Sequence, residues 1–283
     1  MHTALLTAAL VFSAGAEAPA DTVIPVERGV RLEVDNFEGD VAIRSWNRDA
    51  VQVDADLSGS QMLDVVRSGS SVRVRPRSET ERPGDADFLI TVPRWMDVRV
   101  EGNQVDVEIT DVAGEIAVET VGGDVIVDGG SGLIAVRTIQ GEIEIRNAEG
   151  RVEAVAVNDG IALENVTGDL YVETTNGDIV MRRIGSASTR ASTMNGDILY
   201  DGSIRASGRY VFSTHNGDIS VTVPSDADAT VSVSTFQGEF EADFPVQLTG
   251  TTQDRQFTFT MGSGSARIEL ESFNGEILLK RPR

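Results

Sequence analysis

A recurring column of acidic residues is the feature of this sequence most able to do chemistry, because an acid follows a turn glycine again and again. Its members are Asp124, Glu142, Asp178, Asp197, Asp218, Glu239 and Glu276. Stacked carboxylates repel one another, and Ca²⁺ between them would relieve the repulsion because it prefers several oxygen ligands. The calcium-binding nonapeptide Gly-Gly-x-Gly-x-Asp is absent, however, since Val125-Ile126 follows Gly122-Gly123-Asp124. We therefore favour acids that accept N–H bonds in their turns and keep the sheet edge charged, with a calcium-stabilised β-roll as an alternative.

Acid–base catalysis has few other candidates. His215 is the one histidine beyond the N-terminal segment, and a lone histidine lacks the partners that acid–base or zinc chemistry requires. Its repeat equivalents are mostly apolar, which predicts a packing position: Val121, Ile139, Thr175, Met194, Phe236 and Phe273. Asp106, Glu108 and Asp111 would suit a polysaccharide lyase or hydrolase, but coils of near-minimal length offer no long loops to build a cleft. We predict no catalytic, cofactor-binding or metal-binding residues, with a polysaccharide-active enzyme as the alternative.

Two further columns accompany the acids. The first is Thr120, Thr138, Thr174, Thr193, Thr214 and Thr235, with Ala156 in a skipped slot. An ice-binding threonine face would require flat uncharged neighbours, and Glu119 and Arg137 are charged, so we expect hydroxyls that hydrogen-bond along the stack. The second is Gly122, Gln140, Asp159, Asn176, Asn195, Asn216, Gln237 and Asn274, whose amides could bond at the strand spacing of about 4.8 Å. Trp46 and Trp95 are expected to be core or end-cap aromatics.

A glycine repeat predicts the elements that hold these columns. Gly114, Gly123, Gly132, Gly141, Gly150, Gly160, Gly168 and Gly177 follow at gaps of 9, 9, 9, 9, 10, 8 and 9 residues. Each is followed by alternating β-branched residues, as in Ile116 and Val118 or Ile143 and Ile145, and this period of two indicates a strand. Alternate units differ, so the true coil has about 18 residues and lengthens to about 21 towards the C-terminus. The best loop signal is the polar stretch 78–87, which contains Pro83-Gly84, and the strand segments at 257–260, 268–270 and 273–277 are expected to close the stack.

Composition narrows the compartment and the partners. The 283-residue chain has 45 acidic and 24 basic residues, a net charge of −21 that disfavours nucleic acid and anionic membranes. There is no cysteine, which excludes disulfides, thiol catalysis, cysteine–zinc sites and a cysteine-linked lipid anchor. The apolar run Ala4–Ala14, followed by small residues at 14–18, predicts an export signal, the alternative being a disordered apolar tail.

Several motifs resemble a bacterial family of exported proteins with β-strand repeats, known as putative adhesins. They are the segment 34–41 (VDNFEGDV) with Trp46 after it, the recurring Asn-Gly-Asp-Ile at 176–179, 195–198 and 216–219, and the segment 272–277 (SFNGEI). The resemblance covers roughly residues 22–280. It implies a β-solenoid outside the cytoplasm and brings no catalytic residue with it.

Together these observations predict an all-β, right-handed parallel β-solenoid with coils of about 18–21 residues. The expected organisation is a signal peptide at 1–18, irregular coils or a cap at 19–100 and a regular solenoid at 101–283. We expect a non-enzymatic envelope or surface scaffold, located in the periplasm, at the cell surface or secreted. Its partner would be an envelope or surface protein or a polysaccharide, with no nucleic acid, no transmembrane segment after signal cleavage and no cofactor.

Overall fold

The computed structural model describes residues 21–78, 84–246, 248–251 and 256–282, and the predicted signal peptide lies outside them. The described residues form strands and turns, which confirms the all-β class, and they include no helix long and apolar enough to cross a membrane. The strands are Asp21–Pro25 (β1), Arg31–Trp46 (β2), Ala50–Leu57 (β3), Met62–Ser68 (β4), Ser71–Arg77 (β5), Ala86–Pro93 (β6), Asp97–Thr110 (β7), Ile116–Gly122 (β8), Val125–Asp128 (β9), Ser131–Gln140 (β10), Ile143–Arg146 (β11), Glu149–Val155 (β12), Ile161–Glu164 (β13), Thr167–Glu173 (β14), Ile179–Asn195 (β15), Ile198–Gly202 (β16), Arg209–Asn216 (β17), Ile219–Thr222 (β18), Ala229–Thr235 (β19), Phe240–Ala242 (β20), Leu248–Thr251 (β21), Gln256–Met261 (β22), Ala266–Asn274 (β23) and Ile277–Lys280 (β24).

Two ladders of parallel strands make up most of the molecule. The first ladder runs through β5, the start of β2 and β7, then β8, β10, β12, β14, the end of β15, β17, β23 and β19. The second runs through β6, the end of β2 and β7, then β9, β11, β13, the start of β15, β16, β18, β24 and β20. The long strands β2, β7 and β15 pass from one ladder to the other, so each coil contributes one strand to each ladder.

The register places equivalent residues of successive coils side by side. Ile116 pairs with Ile134, Ile134 with Val152 and Val152 with Leu170, each one coil further along the chain. These side chains are buried while their neighbours in the strand point outward, which confirms the alternation expected from the sequence. A single coil could not bury both of its apolar rows, so the coil on either side supplies the missing contacts.

Glycines allow the coils to approach closely at the turns. Gly141 has a φ of +133°, and a Cβ atom there would lie 2.0 Å from the carbonyl oxygen of Gly123. The uneven spacing around Gly160 also has an explanation. Because Ile161 is in register with Ile143 and Ile179, Asp159 occupies the glycine position of its turn and Gly160 occupies the acid position.

The C-terminal end is stacked out of chain order, which corrects the expectation that the segments 268–270 and 273–277 close the stack. β23 pairs with β17 on one side and β19 on the other, and β24 lies in the same way between β18 and β20. The antiparallel strands β22 and β21 continue outward from β19. Because β22 runs against β19, the chain direction is reversed, and the later strands can return between two earlier coils.

Antiparallel pairing also marks the N-terminal end. β1 pairs with β3, β3 with β6 and β4 with β5, while β2 lies inside the stack against β7. β7 crosses the predicted boundary at residues 100 and 101 and belongs to both ladders. Residues 79–83 of the predicted loop lie outside the described part, and Ala86 and Asp87 belong to strand β6.

Candidate functional site

One corner of the stack, where the first ladder turns into the second, repeats the same four surface positions in coil after coil. In the coil that contains Met194 these are an apolar residue, Asn195, Gly196 and Asp197. Equivalent residues lie next to each other along the stack, at the strand spacing of about 4.8 Å. We call the resulting rows the apolar ridge, the amide ladder and the carboxylate ladder.

Buried threonines anchor this corner from beneath. The six threonines predicted as a column are only 3 % to 7 % exposed: Thr120, Thr138, Thr174, Thr193, Thr214 and Thr235. Five of the hydroxyls donate to turn carbonyls and not to one another, which corrects the sequence expectation; Thr193 Oγ1, for example, donates to the Gly177 carbonyl oxygen at 3.1 Å. Thr235 Oγ1 instead accepts the Gly238 N–H at 3.0 Å. Ser272 lies between Thr214 and Thr235 because β23 is interposed there. With its hydroxyls buried, this column cannot form an ice-binding face.

The amide ladder consists of Asn158, Asn176, Asn195, Asn216 and Asn274. Each later member donates from Nδ2 to the Oδ1 of the one before, at 3.2, 2.8, 2.7 and 2.8 Å in that order. Stacked amide bonding is therefore confirmed, but the predicted member Asp159 is wrong. Asn158 takes that place because the turn has Asp159 and Gly160 in reversed order, and Asp159 Oδ2 instead accepts the Gly141 N–H at 2.8 Å.

The carboxylate ladder includes every predicted member and extends to Asp87, Asp40 and Asp106 at the N-terminal end. Six of its aspartates accept backbone N–H groups in the turn of the neighbouring coil, the kind of bond predicted for these acids: Asp87, Asp106, Asp124, Asp178, Asp197 and Asp218. Asp197 Oδ1 accepts the Asp218 N–H, and Asp218 Oδ1 accepts the Glu276 N–H, at 2.8 and 2.7 Å. Among the described residues, no group of three or more acidic or histidine side chains is arranged to hold a metal ion.

Crowding affects the acids near the two ends of the carboxylate ladder. Partial burial, together with the charges of Asp87 and Asp106, raises the pKa of Asp40. Desolvation and the charges of Glu241, Asp218 and Glu239 likewise raise the pKa of Glu276. The ladder therefore carries a dense negative charge whose repulsion is felt within the protein itself.

The apolar ridge is the main departure from the sequence analysis. Its large side chains are 38 % to 59 % exposed, so the expected packing position faces solvent: Phe37, Val121, Ile139, Met194, Phe236 and Phe273. His215 is also exposed and stacks on Phe273, with ring centroids 4.6 Å apart, and Phe236 stacks on the other face of Phe273 at 4.7 Å. The ridge residue follows the buried threonine, so alternation turns it outward. A pattern of apolar residues alone could not distinguish it from a core row.

A groove of about 370 Å³ runs along the stack beside the ridge. One wall is formed by ridge positions, Thr175, Met194, His215 and Phe273, and the other by outward residues of the first ladder, Glu173, Ser192, Ser213 and Glu271. The buried Thr174, Thr193 and Thr214 form its floor. The groove therefore joins an apolar wall to a wall of hydroxyls and carboxylates.

The remaining predicted acids do not converge on a catalytic centre. Asp106 belongs to the carboxylate ladder and Asp111 lies beyond the other end of the same strand segment, in a turn with a φ of +59°. Glu108 points outward between them and is exposed. At about 3.3 Å per residue the two aspartates lie about 16 Å apart.

The tryptophans lie at the N-terminal end, partly buried. Trp46 Nε1 donates to the Ala50 carbonyl oxygen at 2.7 Å, and Trp95 Nε1 donates to Asp49 Oδ1 at 3.0 Å. The guanidinium of Arg48 covers the ring of Trp46 at 4.9 Å.

A column that the sequence analysis missed occupies the opposite corner. Asp111, Gly129, Asn147, Asn165 and Arg183 recur once per coil, and all of them have a positive φ. Asn165 Nδ2 donates to Asn147 Oδ1 at 2.7 Å. Asparagine and aspartate tolerate a positive φ, so the recurrence of Asp111, Asn147 and Asn165 along successive coils could have identified this second turn column.

Comparisons with known proteins give one family and a group of remote structural likenesses. No curated protein matches the chain. It is similar to the crystal structures of a putative adhesin from Bacteroides fragilis NCTC 9343 (12 % identity, 92 % of this chain and 95 % of that chain, TM-score 0.43) and one from Parabacteroides distasonis ATCC 8503 (10 % identity, 93 % and 96 %, TM-score 0.43). A putative cell adhesion protein from Clostridium sporogenes ATCC 15579 shares 9 % identity over 93 % of this chain and 99 % of that chain, with a TM-score of 0.26. The family model Toastrack DUF4097 matches residues 30–280, and the chain belongs to that family.

Proposed function

We propose that this protein is a non-enzymatic scaffold outside the cytoplasm, built as a right-handed parallel β-solenoid, that binds an envelope or surface partner along one corner. The parallel register supports the solenoid, because Val152 pairs with Leu170, Leu170 with Thr189 and Thr189 with Tyr210, one coil apart each time. Right-handed crossover connections are the rule in parallel sheets, which supports the handedness. The apolar run Ala4–Ala14, followed by small residues at 14–18, supports export.

The observation that carries the proposal is the exposed apolar ridge. Soluble proteins rarely expose large apolar side chains repeatedly along one line of the surface without an interaction to explain them. The amide and carboxylate ladders and the buried hydroxyls below hold the ridge rigid, so binding would cost little conformational entropy. The corner acids are engaged in turn hydrogen bonds, which supports a binding role over a hydrolytic one.

In-cell photo-crosslinking tests the proposal. A photo-reactive phenylalanine analogue at Met194, on the ridge, should give a discrete adduct in the envelope fraction of the producing cells. The same analogue at Glu108, exposed on the outer face of the second ladder, is the matched control. Adducts of equal yield from both positions, or none from Met194 in a folded exported protein, would refute the proposal.

A further inference from the structure

The groove beside the ridge exists because small residues replace long ones on its outer wall. Along the first ladder this row holds Glu119 and Arg137 in earlier coils, whereas Ser192 and Ser213 occupy the middle of the groove. Glu173 precedes the two serines along the stack and Glu271 follows them. A carboxylate therefore lies at each end of a hydroxyl-lined segment.

These two carboxylates differ from others on the same face. Glu119 lies 3.4 Å from Arg137, Glu153 lies 2.7 Å from Arg151 and Glu269 lies 3.4 Å from Arg209. Within the described residues, neither Glu173 nor Glu271 has an arginine or lysine partner within ion-pair distance, and Glu173 instead accepts a hydrogen bond from a tyrosine hydroxyl. The groove thus carries negative charge that no basic side chain in the described part of the chain neutralises.

The ridge side of the groove is a poor surface for a flat ligand such as a sugar ring. His215 lies nearly parallel to Phe273, at an interplanar angle of 13°, and Phe236 lies at 10° to the same ring. Rings stacked face to face along the axis turn their edges to the groove, so they offer a narrow apolar wall and no open platform for a sugar ring. Such a wall suits a branched aliphatic side chain.

Charge argues against a second copy of the chain as the occupant. The carboxylate ladder runs along the same corner, and the net charge of the chain is −21. Docking two such corners would bring two acidic rows together, whereas a cationic partner would be attracted by them.

We infer that the groove binds an extended polypeptide segment that carries basic residues four positions apart and an aliphatic residue midway between them. Glu173 and Glu271 are separated by three strand spacings, about 14 Å, and an extended chain advances about 3.3 Å per residue. Residues i, i+2 and i+4 of an extended chain point to the same side. The basic ends would meet the two carboxylates while the central side chain contacts Met194 and Phe273. This inference rests on the proposed function and names the chemistry of its partner.

Fluorescence anisotropy with a labelled Lys-Thr-Leu-Thr-Lys peptide and the full-length protein tests the inference. We expect saturable binding that weakens as salt is raised, because exposed charges are screened beyond about 8 Å at physiological ionic strength. E173Q and E271Q should each weaken binding about two- to fivefold, the range of exposed ion pairs, and the double variant should weaken it further. E153Q removes an outward carboxylate outside the groove and should leave binding unchanged.

Two further peptides separate charge from shape. Glu-Thr-Leu-Thr-Glu should not bind, and Lys-Thr-Ser-Thr-Lys should bind more weakly than the leucine peptide. Equal binding by wild type, E173Q/E271Q and E153Q would overturn the inference, as would competition by neutral dextran, which would indicate a sugar site. Failure here with a persisting Met194 crosslink in cells would leave the proposed scaffold role standing, while loss of that crosslink would remove both.

Discussion

Replacing Gly141 with alanine should separate two coils at their point of closest approach. The Cβ of Ala at position 141 would lie 2.0 Å from the Gly123 carbonyl oxygen and 3.1 Å from the Asp124 nitrogen, and both are backbone atoms that cannot rotate aside. The φ of +133° is also one that residues with a Cβ rarely adopt.

The expected loss follows from these two effects. Holding a non-glycine residue in such a conformation costs on the order of 1–3 kcal/mol. Forcing extra volume into a packed site adds about 1–3 kcal/mol. Separating the two coils would also stretch the 2.8 Å bond that the Glu142 N–H donates to Asp124 Oδ1. We therefore expect the free energy of unfolding to fall by roughly 2–6 kcal/mol, a large part of the 5–15 kcal/mol typical of a domain.

Urea unfolding followed by far-ultraviolet circular dichroism measures this loss. Gly160→Ala is the matched control, because its φ is not in the positive range and its nearest contact would be the Asp178 carbonyl oxygen at 3.2 Å. That substitution should cost less than about 1 kcal/mol. Equal unfolding midpoints for the two variants would refute the close-approach argument.

Three other outcomes are expected. Asn195→Ala breaks two amide bonds and should cost about 1–3 kcal/mol in urea unfolding, about twice the cost of Asn274→Ala, which breaks the bond to Asn216; equal costs would argue against the ladder. A calcium chelator should leave the melting temperature unchanged, because most of the ladder aspartates already accept backbone N–H bonds, and a clear drop would establish the calcium-stabilised alternative. Since folding raises the pKa of Asp40 above its usual 3.8, its stabilising contribution is fully present below pH 3.8 and is lost as the pH rises through the folded value. Asp40→Asn should therefore gain stability relative to wild type as the pH rises from 4 to 7 in thermal melts, and a constant difference would contradict this sign.

The strand pattern and the polar columns could be predicted because each coil of a repeat protein shows the same local sequence pattern. Alternation of β-branched residues identified the buried rows, and the recurring Asn-Gly-Asp identified the turns. The carboxylate ladder followed from the same turns, since an acid after glycine lies next to the N–H groups of the neighbouring coil.

Features that depend on pairing between distant segments could not be predicted. Nothing local indicates that Ile268 pairs with Tyr210, several strands earlier in the chain, and so the order of the last coils was wrong. The ridge was misassigned because Met194 and Phe273 have core-like side chains at a position that only the corner geometry turns outward. The groove could not be predicted for both of these reasons. Phe273 lines it only because β23 lies between β17 and β19, and the ridge residues line it only because they face solvent.

The placement of β23 and β24 between older neighbours has a consequence for biogenesis. A simple repeat protein can assemble progressively as it is synthesised, but here that progression halts after β18. β19 and β20 lack their parallel partners, β23 and β24, until residues 266–280 have been synthesised. A chain interrupted before that point would leave the edges of β17 and β18 unpaired, and unpaired strand edges are sites of aggregation and proteolysis. Synthesis of residues 266–280 thus becomes the event that completes the stack, and products that lack this segment would be distinguishable from complete ones by their exposed edges alone.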